Sequence, residues 1–408
     1  MTESTPHRFT VVKLGLLGIF VAIHISYYVS ALETNHLKAF FPQGTIQNQK
    51  TLDYYQVPNG AESYFEGGSI LGRRRDFPVL PNVYHPAFTL TVGGVLQLWD
   101  QEAGFRVYAF AKLIATILLA ILVFWRYRCS EHFLAAAFVF FCFFSQAVEI
   151  GTGQYHFLLN TSVFLILLFP VHRRYDWMRS GCYLVSLLVK PIGLLWIPTF
   201  LVNKQYRATF WALGLYVALT LIFTLDVQSQ GDFYLRNIFV RTNDFFIVDE
   251  PTYTINWILS SLNFGTTALR AAKYSAGFAL LIYTLVVRPS IFTGTFLWTS
   301  YYLLFYIWVF EYHYTSLIPF YALGLLTRPE FQRPWVRVSI LLSCFPSPYL
   351  LLNRFDLFQG TEELNPDGLF LVVCWKVVPL LIVVASVAIE AIQVRRLGAE
   401  TDLKSEAG

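Results

Sequence analysis

Charge is what this chain has least of. Asp, Glu, Lys and Arg make up only 14% of its 408 residues, where a soluble globular domain carries about a quarter. Together with 55% hydrophobic residues and a mean hydropathy of +0.50, that shortage excludes an ordinary soluble fold. No Arg/Lys-rich stretch interleaved with aromatics occurs, so nucleic acid is not an expected partner. The five cysteines, Cys129, Cys142, Cys182, Cys344 and Cys374, show neither metal-ligand spacing nor a disulfide framework. They read as buried small hydrophobes. No small-residue cleavage site follows the first apolar stretch, so an uncleaved first span is expected rather than a signal peptide. No internal repeat is visible, which weighs against an inverted-repeat transporter.

What the chain does have is long apolar runs, and a helix needs about 20 apolar residues to cross the hydrocarbon core. Candidate spans are 12–31, 105–125, 132–148, 155–170, 208–225, 268–287, 291–310, 313–326, 336–352 and 368–392. A further run, 180–201, is broken by Lys190-Pro191, and another, 86–99, is too short to span. Cytoplasmic loops are rich in Lys and Arg. The basic connections His7-Arg8, Arg126-Tyr127-Arg128, Arg173-Arg174 with Arg179, Lys204 to Arg207, Arg288, Arg328 to Arg337 and Arg395-Arg396 fall on one side under two conditions. The 86–99 run must be a non-spanning helix, and 180–201 a hairpin entering and leaving by the cytoplasmic side, with the proline break at its tip.

The expected fold is therefore all-α and polytopic. It has about ten full transmembrane helices, a re-entrant hairpin and juxtamembrane helices in the first outer loop. The whole chain, 1–408, forms one transmembrane domain, with outer loops at 33–104 and 226–267 and a cytoplasmic tail at 393–408. The Arg73-Arg74-Arg75 triplet falls outside in this scheme, which a long loop tolerates. The aromatics, 18% of the chain, are expected mostly at the lipid face and in interfacial belts.

The unusual polar residues collect on the outer side. The first outer loop carries Asp53 in Leu52-Asp53-Tyr54-Tyr55, then Glu62, Tyr64, Glu66, Gly67 and Gly68, then Tyr84-His85-Pro86. One outer turn reads Gly151-Thr152-Gly153-Gln154-Tyr155-His156, another carries Glu311, Tyr312 and His313, and the second outer loop ends in Tyr253-Thr254-Ile255-Asn256-Trp257. An ionisable residue inside apolar sequence, as Lys190 is, costs about 2.5–3.5 kcal/mol on insertion scales and is a functional candidate by default. A snorkelling lysine is its plain alternative. A lone Asp in a long loop, or a His at an interface, is ordinarily just solvated.

The order of these motifs resembles glycosyltransferase family 87, membrane enzymes of the GT-C superfamily. An early Asp, Tyr…Gly-Gly, Tyr-x-Pro, Gly-Gln, Lys-Pro and a late Glu-x-His carry the resemblance, over roughly residues 53–326. It implies a polyprenyl-phosphate sugar donor, typically mannose, a lipid-linked or glycan acceptor, and an inverting single displacement without cofactor or metal. The lack of an Asp-x-Asp pair in the first loop agrees with that. His85 and the Gln154-Tyr155-His156 run depart from the family's usual pattern.

The chemistry has its own logic. Glycoside hydrolysis uses two carboxylates. A phosphate, however, leaves as a stable anion, so its transfer needs only one base, to take the acceptor's proton. Asp53 is the candidate base. Lys190 and His313 are candidate cations for the donor phosphate, with Glu311 able to orient or charge the imidazole. Gln154 and His156 are candidates for donor hydroxyls or phosphate oxygens. Glu62, Tyr84, His85 and Asn256 are candidate acceptor or loop contacts. Two unit charges about 4 Å apart at an effective dielectric near 20 interact by about 4 kcal/mol. A lipid or glycan transporter and a non-catalytic membrane scaffold stay open as alternatives. The expected location is a bacterial plasma membrane, with the site facing outward, since the chain is compact and has no retention signal.

Overall fold

The computed structural model describes residues 6–33, 52–68, 84–169, 173–226, 252–306, 311–346 and 366–406, with 70, 82 and 309. Arg73-Arg74-Arg75 and most of the long outer loops lie outside them. Among the described residues 85% are helical and none is in a strand. In chain order the helices are α1 (Pro6–Glu33), α2 (Leu52–Phe65), α3 (Pro86–Leu96, with a π-helical turn at Thr89–Gly93), α4 (Gln101–Arg126), α5 (Phe133–Cys142), α6 (Ser145–Thr152), α7 (His156–Leu168) and α8 (Asp176–Val189). A 3-10 turn, Pro191–Trp196, leads into α9 (Ile197–Val202). There follow α10 (Tyr206–Asp226), α11 (Ile255–Ser261), α12 (Thr266–Val287) and α13 (Ile291–Phe305). A second 3-10 segment, Glu311–Leu317, opens α14 (Ile318–Thr327), and α15 (Pro329–Gln332), α16 (Pro334–Cys344) and α17 (Pro366–Glu406) complete the chain.

Among the described residues five segments are long and apolar enough to cross a membrane: Val11–Leu32, Glu102–Arg126, Phe133–Thr152, Tyr206–Phe223 and Phe370–Arg396. Some other expected spans are shorter helices. At 1.5 Å per residue, the 13 residues of α7 reach about 20 Å, less than the roughly 30 Å of hydrocarbon. The Phe133–Thr152 segment is central, 83% buried, whereas Val11–Leu32 and Tyr206–Phe223 are only 17% buried and line the outside. It is also broken: Phe143 is extended, and the Phe144 N–H donates to the Cys344 carbonyl instead. The 393–408 stretch read as a tail continues α17 as far as Glu406.

Sequence dictates where the helices begin. Asp100 caps α4 by accepting from the Ala103 N–H at 2.8 Å, and Ser290 and Thr254 cap α13 and α11 in the same way. Prolines open α3, α15 and α16 at first-turn positions, where no backbone donor is lost. Many aromatics expected at the lipid face build the core instead. Tyr54, Tyr84, Tyr108 and Tyr155, all buried, converge around Tyr155 with ring centroids 4.9–6.4 Å apart. Edge and offset contacts of this kind add about 0.5–1.5 kcal/mol each beyond area burial.

The segment around Lys190-Pro191 folds back on itself. Tyr183 packs its ring against Phe200 (4.9 Å) and stacks on Trp196, and its hydroxyl donates to the Gly193 carbonyl at 2.8 Å. Its two ends meet, for the Arg179 guanidinium donates to the Gln205 side-chain oxygen at 3.1 Å and to the Phe169 carbonyl at 2.9 Å. Lys190 sits at the break, extended (φ −150°), where proline ends the helix.

Candidate functional site

Asp53 stands in the first turn of α2, and what seats α2 places it. The helix crosses α3 at Gly93, where an added Cβ would lie 2.4 Å from the Val57 carbonyl oxygen. At the end of α6 the chain turns through Gly153 in the left-handed region (φ 74°), its N–H returning to the α6 carbonyls. That turn brings Gln154 onto Asp53. The Gln154 Nε2 donates to Asp53 Oδ2, and Gln56 Nε2 donates to Oδ1 at 2.7 Å. The amide cannot be reversed, because the Tyr84 hydroxyl donates to Gln154 Oε1 at 2.9 Å and a carboxylate only accepts. Tyr108 holds the backbone, its hydroxyl donating to the Gln154 carbonyl at 2.6 Å.

Burial pushes the Asp53 carboxyl up to about 6, against the opposing pull of Lys190 and the Gln154 and Gln56 hydrogen bonds. A Cβ on Gly153 would meet the Tyr54 Cβ at 2.5 Å as well as an unfavourable φ. Gly153→Ala is therefore expected to displace Asp53 from Gln154 and cut turnover about tenfold to a hundredfold. A steady-state assay with a thermal-melt control checks this, and unchanged turnover would remove the turn from the site.

Opposite the carboxylate lies a cluster of nitrogen groups. Lys190 Nζ donates to His313 Nε2 at 2.9 Å and sits 5.6 Å from the centre of the Tyr312 ring. Tyr312 stacks on His313 at 4.3 Å, and His156 meets His313 edge-on at 4.9 Å. His156 is 1% exposed, and neither of its ring nitrogens has a hydrogen-bond partner among the described residues. A buried polar group without a partner costs about 1–3 kcal/mol, so an imidazole with two such nitrogens beside a lysine is a natural ligand contact.

The structure reassigns other expected residues. Glu311 does not serve His313. Its Oε1 accepts from Ser145 at 2.9 Å and pairs with Lys376 of α17 at 2.7 Å, both partners buried. A charged lysine has no lone pair, so His313 accepts from Lys190 as a neutral ring and is not a second cation in this arrangement. His85 is a structural cap. Its Nδ1 accepts from the Ala87 N–H, which leaves the proton on Nε2 for Thr220 Oγ1, each at 3.1 Å. Burial pulls its pKa down to about 4, so it is neutral. Tyr84 belongs to the site as the group that orients Gln154. The Asn256 amide donates to the Phe305 carbonyl at 2.9 Å, at the end of α13. Glu62 lies further along α2, on a cavity taken up below.

Several residues of this region were not singled out from the sequence. Gln56 and Tyr108 carry no signal distinguishing them from other polar and aromatic residues. Lys112 and Lys376 do: both are ionisable residues within apolar spans, as Lys190 is within its own run. Lys112 pairs with Glu149 at 2.7 Å, nearly buried, and so ties α4 to the end of α6 that supports Gln154. Removing one partner of a buried pair costs about 3–5 kcal/mol.

The arrangement thus offers one carboxylate held ready to accept a proton, beside an ammonium and two imidazoles. None of the curated proteins matches the chain. The family model for glycosyltransferase family 87 matches residues 82–298, more than half of the chain, and that stretch includes Gln154, His156 and Lys190. Asp53 and His313 lie outside it, so the match is narrower at both ends than the motif order implied. The chain belongs to glycosyltransferase family 87 and is a membrane glycosyltransferase.

Proposed function

We propose that the protein transfers a hexose, mannose by its family resemblance, from a polyprenyl phosphate to a lipid-linked or glycan acceptor. The observation that carries this reading is the pairing of a single, hydrogen-bonded carboxylate with a buried nitrogen cluster containing an unsatisfied histidine. Asp53 takes the proton from the acceptor hydroxyl, whose oxygen attacks the anomeric carbon from the side opposite the phosphate. The bond from that carbon to the phosphate oxygen breaks, the electron pair leaves with the phosphate, and the configuration inverts. Lys190 faces the charge that develops, and His156 donates to a phosphate oxygen or a sugar hydroxyl. A fixed ammonium and a neutral imidazole donor supply this stabilisation in place of a metal.

The membrane arrangement in this reading has about ten spans, with 180–201 as a re-entrant hairpin. The bond joining Arg179 to Gln205 supports it, since the two ends of the segment leave from one place. The active face is the one away from the basic connections.

Transfer of a labelled hexose from a synthetic polyprenyl-phosphate donor by the purified protein tests the reading; no transfer to any lipid-linked or glycan acceptor would overturn it. Asp53 works as a base only when ionised. With its pKa near 6, kcat/KM is expected to rise with pH through about 6. A profile flat down to about pH 4 would exclude Asp53 as the base.

A further inference from the structure

A second polar cavity, of about 440 Å³, lies on another face of α2, between that helix and the turn joining α3 to α4. Tyr54, Asn59, Glu62, Gln97, Trp99 and Asp100 line it. Its volume falls in the range of small-molecule sites, about 300–1,000 Å³. The chemistry of the lining restricts the occupant. Among the described residues two carboxylates and no cation line it, which disfavours a phosphate or any other anion. Among the described residues no group of three His, Cys, Asp or Glu stands there to hold a metal ion. Planar carboxamides and carboxylates can each bond two neighbouring hydroxyls, while Trp99 offers aromatic surface to C–H groups. Asn59 adds an independent sign of a missing ligand: it is 6% exposed, and its Nδ2 has no hydrogen-bond partner among the described residues. Trp99, by contrast, is 41% exposed at the same cavity.

We infer that this cavity binds a neutral saccharide, the part of the glycan acceptor that does not react. Asn59 and Glu62 stand six and nine residues beyond Asp53, about 9 and 14 Å along the axis of α2. A glycan gripped there is anchored to the same rigid helix that carries the proposed base. The role as an acceptor subsite rests on the glycosyl-transfer reading; the binding itself does not.

The test uses the full-length protein in nanodiscs and measures binding directly. The probes are the methyl glycosides of mannose, glucose and galactose, their α-linked disaccharides, inorganic phosphate and calcium. At least one disaccharide is expected to bind, with Trp99→Ala and Asn59→Leu each weakening it at least tenfold, and with Asp53→Asn leaving it intact. Phosphate and calcium are expected not to compete. In turnover, Trp99→Ala is expected to raise the acceptor KM at least tenfold without moving the donor KM, and a matched melting curve shows that the variant is folded. Binding of no saccharide, binding indifferent to both substitutions, or displacement by calcium overturns the inference. Saccharide binding without any transfer would uphold the cavity and overturn the enzymatic reading instead.

Discussion

Asp53→Asn is expected to lower turnover by about 10²–10⁴-fold, the usual worth of a positioned general base, while donor affinity stays within a fewfold of wild type. The substitution keeps shape and hydrogen-bonding capacity but removes the carboxylate that takes the acceptor's proton in the proposed mechanism. It also places an amide against the Gln154 and Gln56 amides, which donate to the carboxylate in the native site. Rotation of one amide can repair that conflict, so the fold survives and the chemistry does not. Single-turnover transfer, together with donor binding measured separately, checks the prediction. Normal turnover would remove Asp53 from the mechanism. Loss of donor binding in parallel with turnover would make it a structural residue.

Lys190→Met gives the second large effect, with the opposite signature. The variant is expected to lose about 10²–10³-fold in kcat/KM for the donor, as removal of one group that stabilises transition-state charge does, with acceptor KM little changed. Lys190→Arg is not expected to restore activity. A planar five-donor fork does not fit where a single ammonium donates to His313 Nε2 at 2.9 Å beside the Tyr312 ring. Kinetics with donor and acceptor varied independently decide the matter; full activity in either variant would dissolve the proposed phosphate site.

Lys190 stood out from the sequence even with a snorkelling lysine as its plain alternative. Lys190 was legible because a lysine followed by proline inside an apolar run conflicts with both helix and lipid. Gln154 was legible through the glycine that precedes it, which the structure places at a positive φ. Asp53 stands at a helix start, Lys190 at a helix break and His313 in a 3-10 segment. Partner choice was not legible. Nothing in Glu-x-His tells that Glu311 turns to Lys376, which enters from a helix more than sixty residues on. Nor does Tyr84-His85-Pro86 tell that the histidine caps α3 while the tyrosine reaches Gln154. Such outcomes depend on which long-range surfaces meet, and local pattern carries no record of that. Hydropathy likewise located apolar runs but not their interruptions, so 132–148 read as one span although the chain breaks at Phe143.

The Asp53–Gln154 bond crosses the boundary of the family-matched stretch, for Gln154 lies inside residues 82–298 and Asp53 does not. His313, held by Lys190 from within, lies beyond the other end. A graft or minimal fragment cut at the limits of homology would thus inherit Lys190 and Gln154 without the His313 and Asp53 they contact. Such a piece would be a socket without its tool.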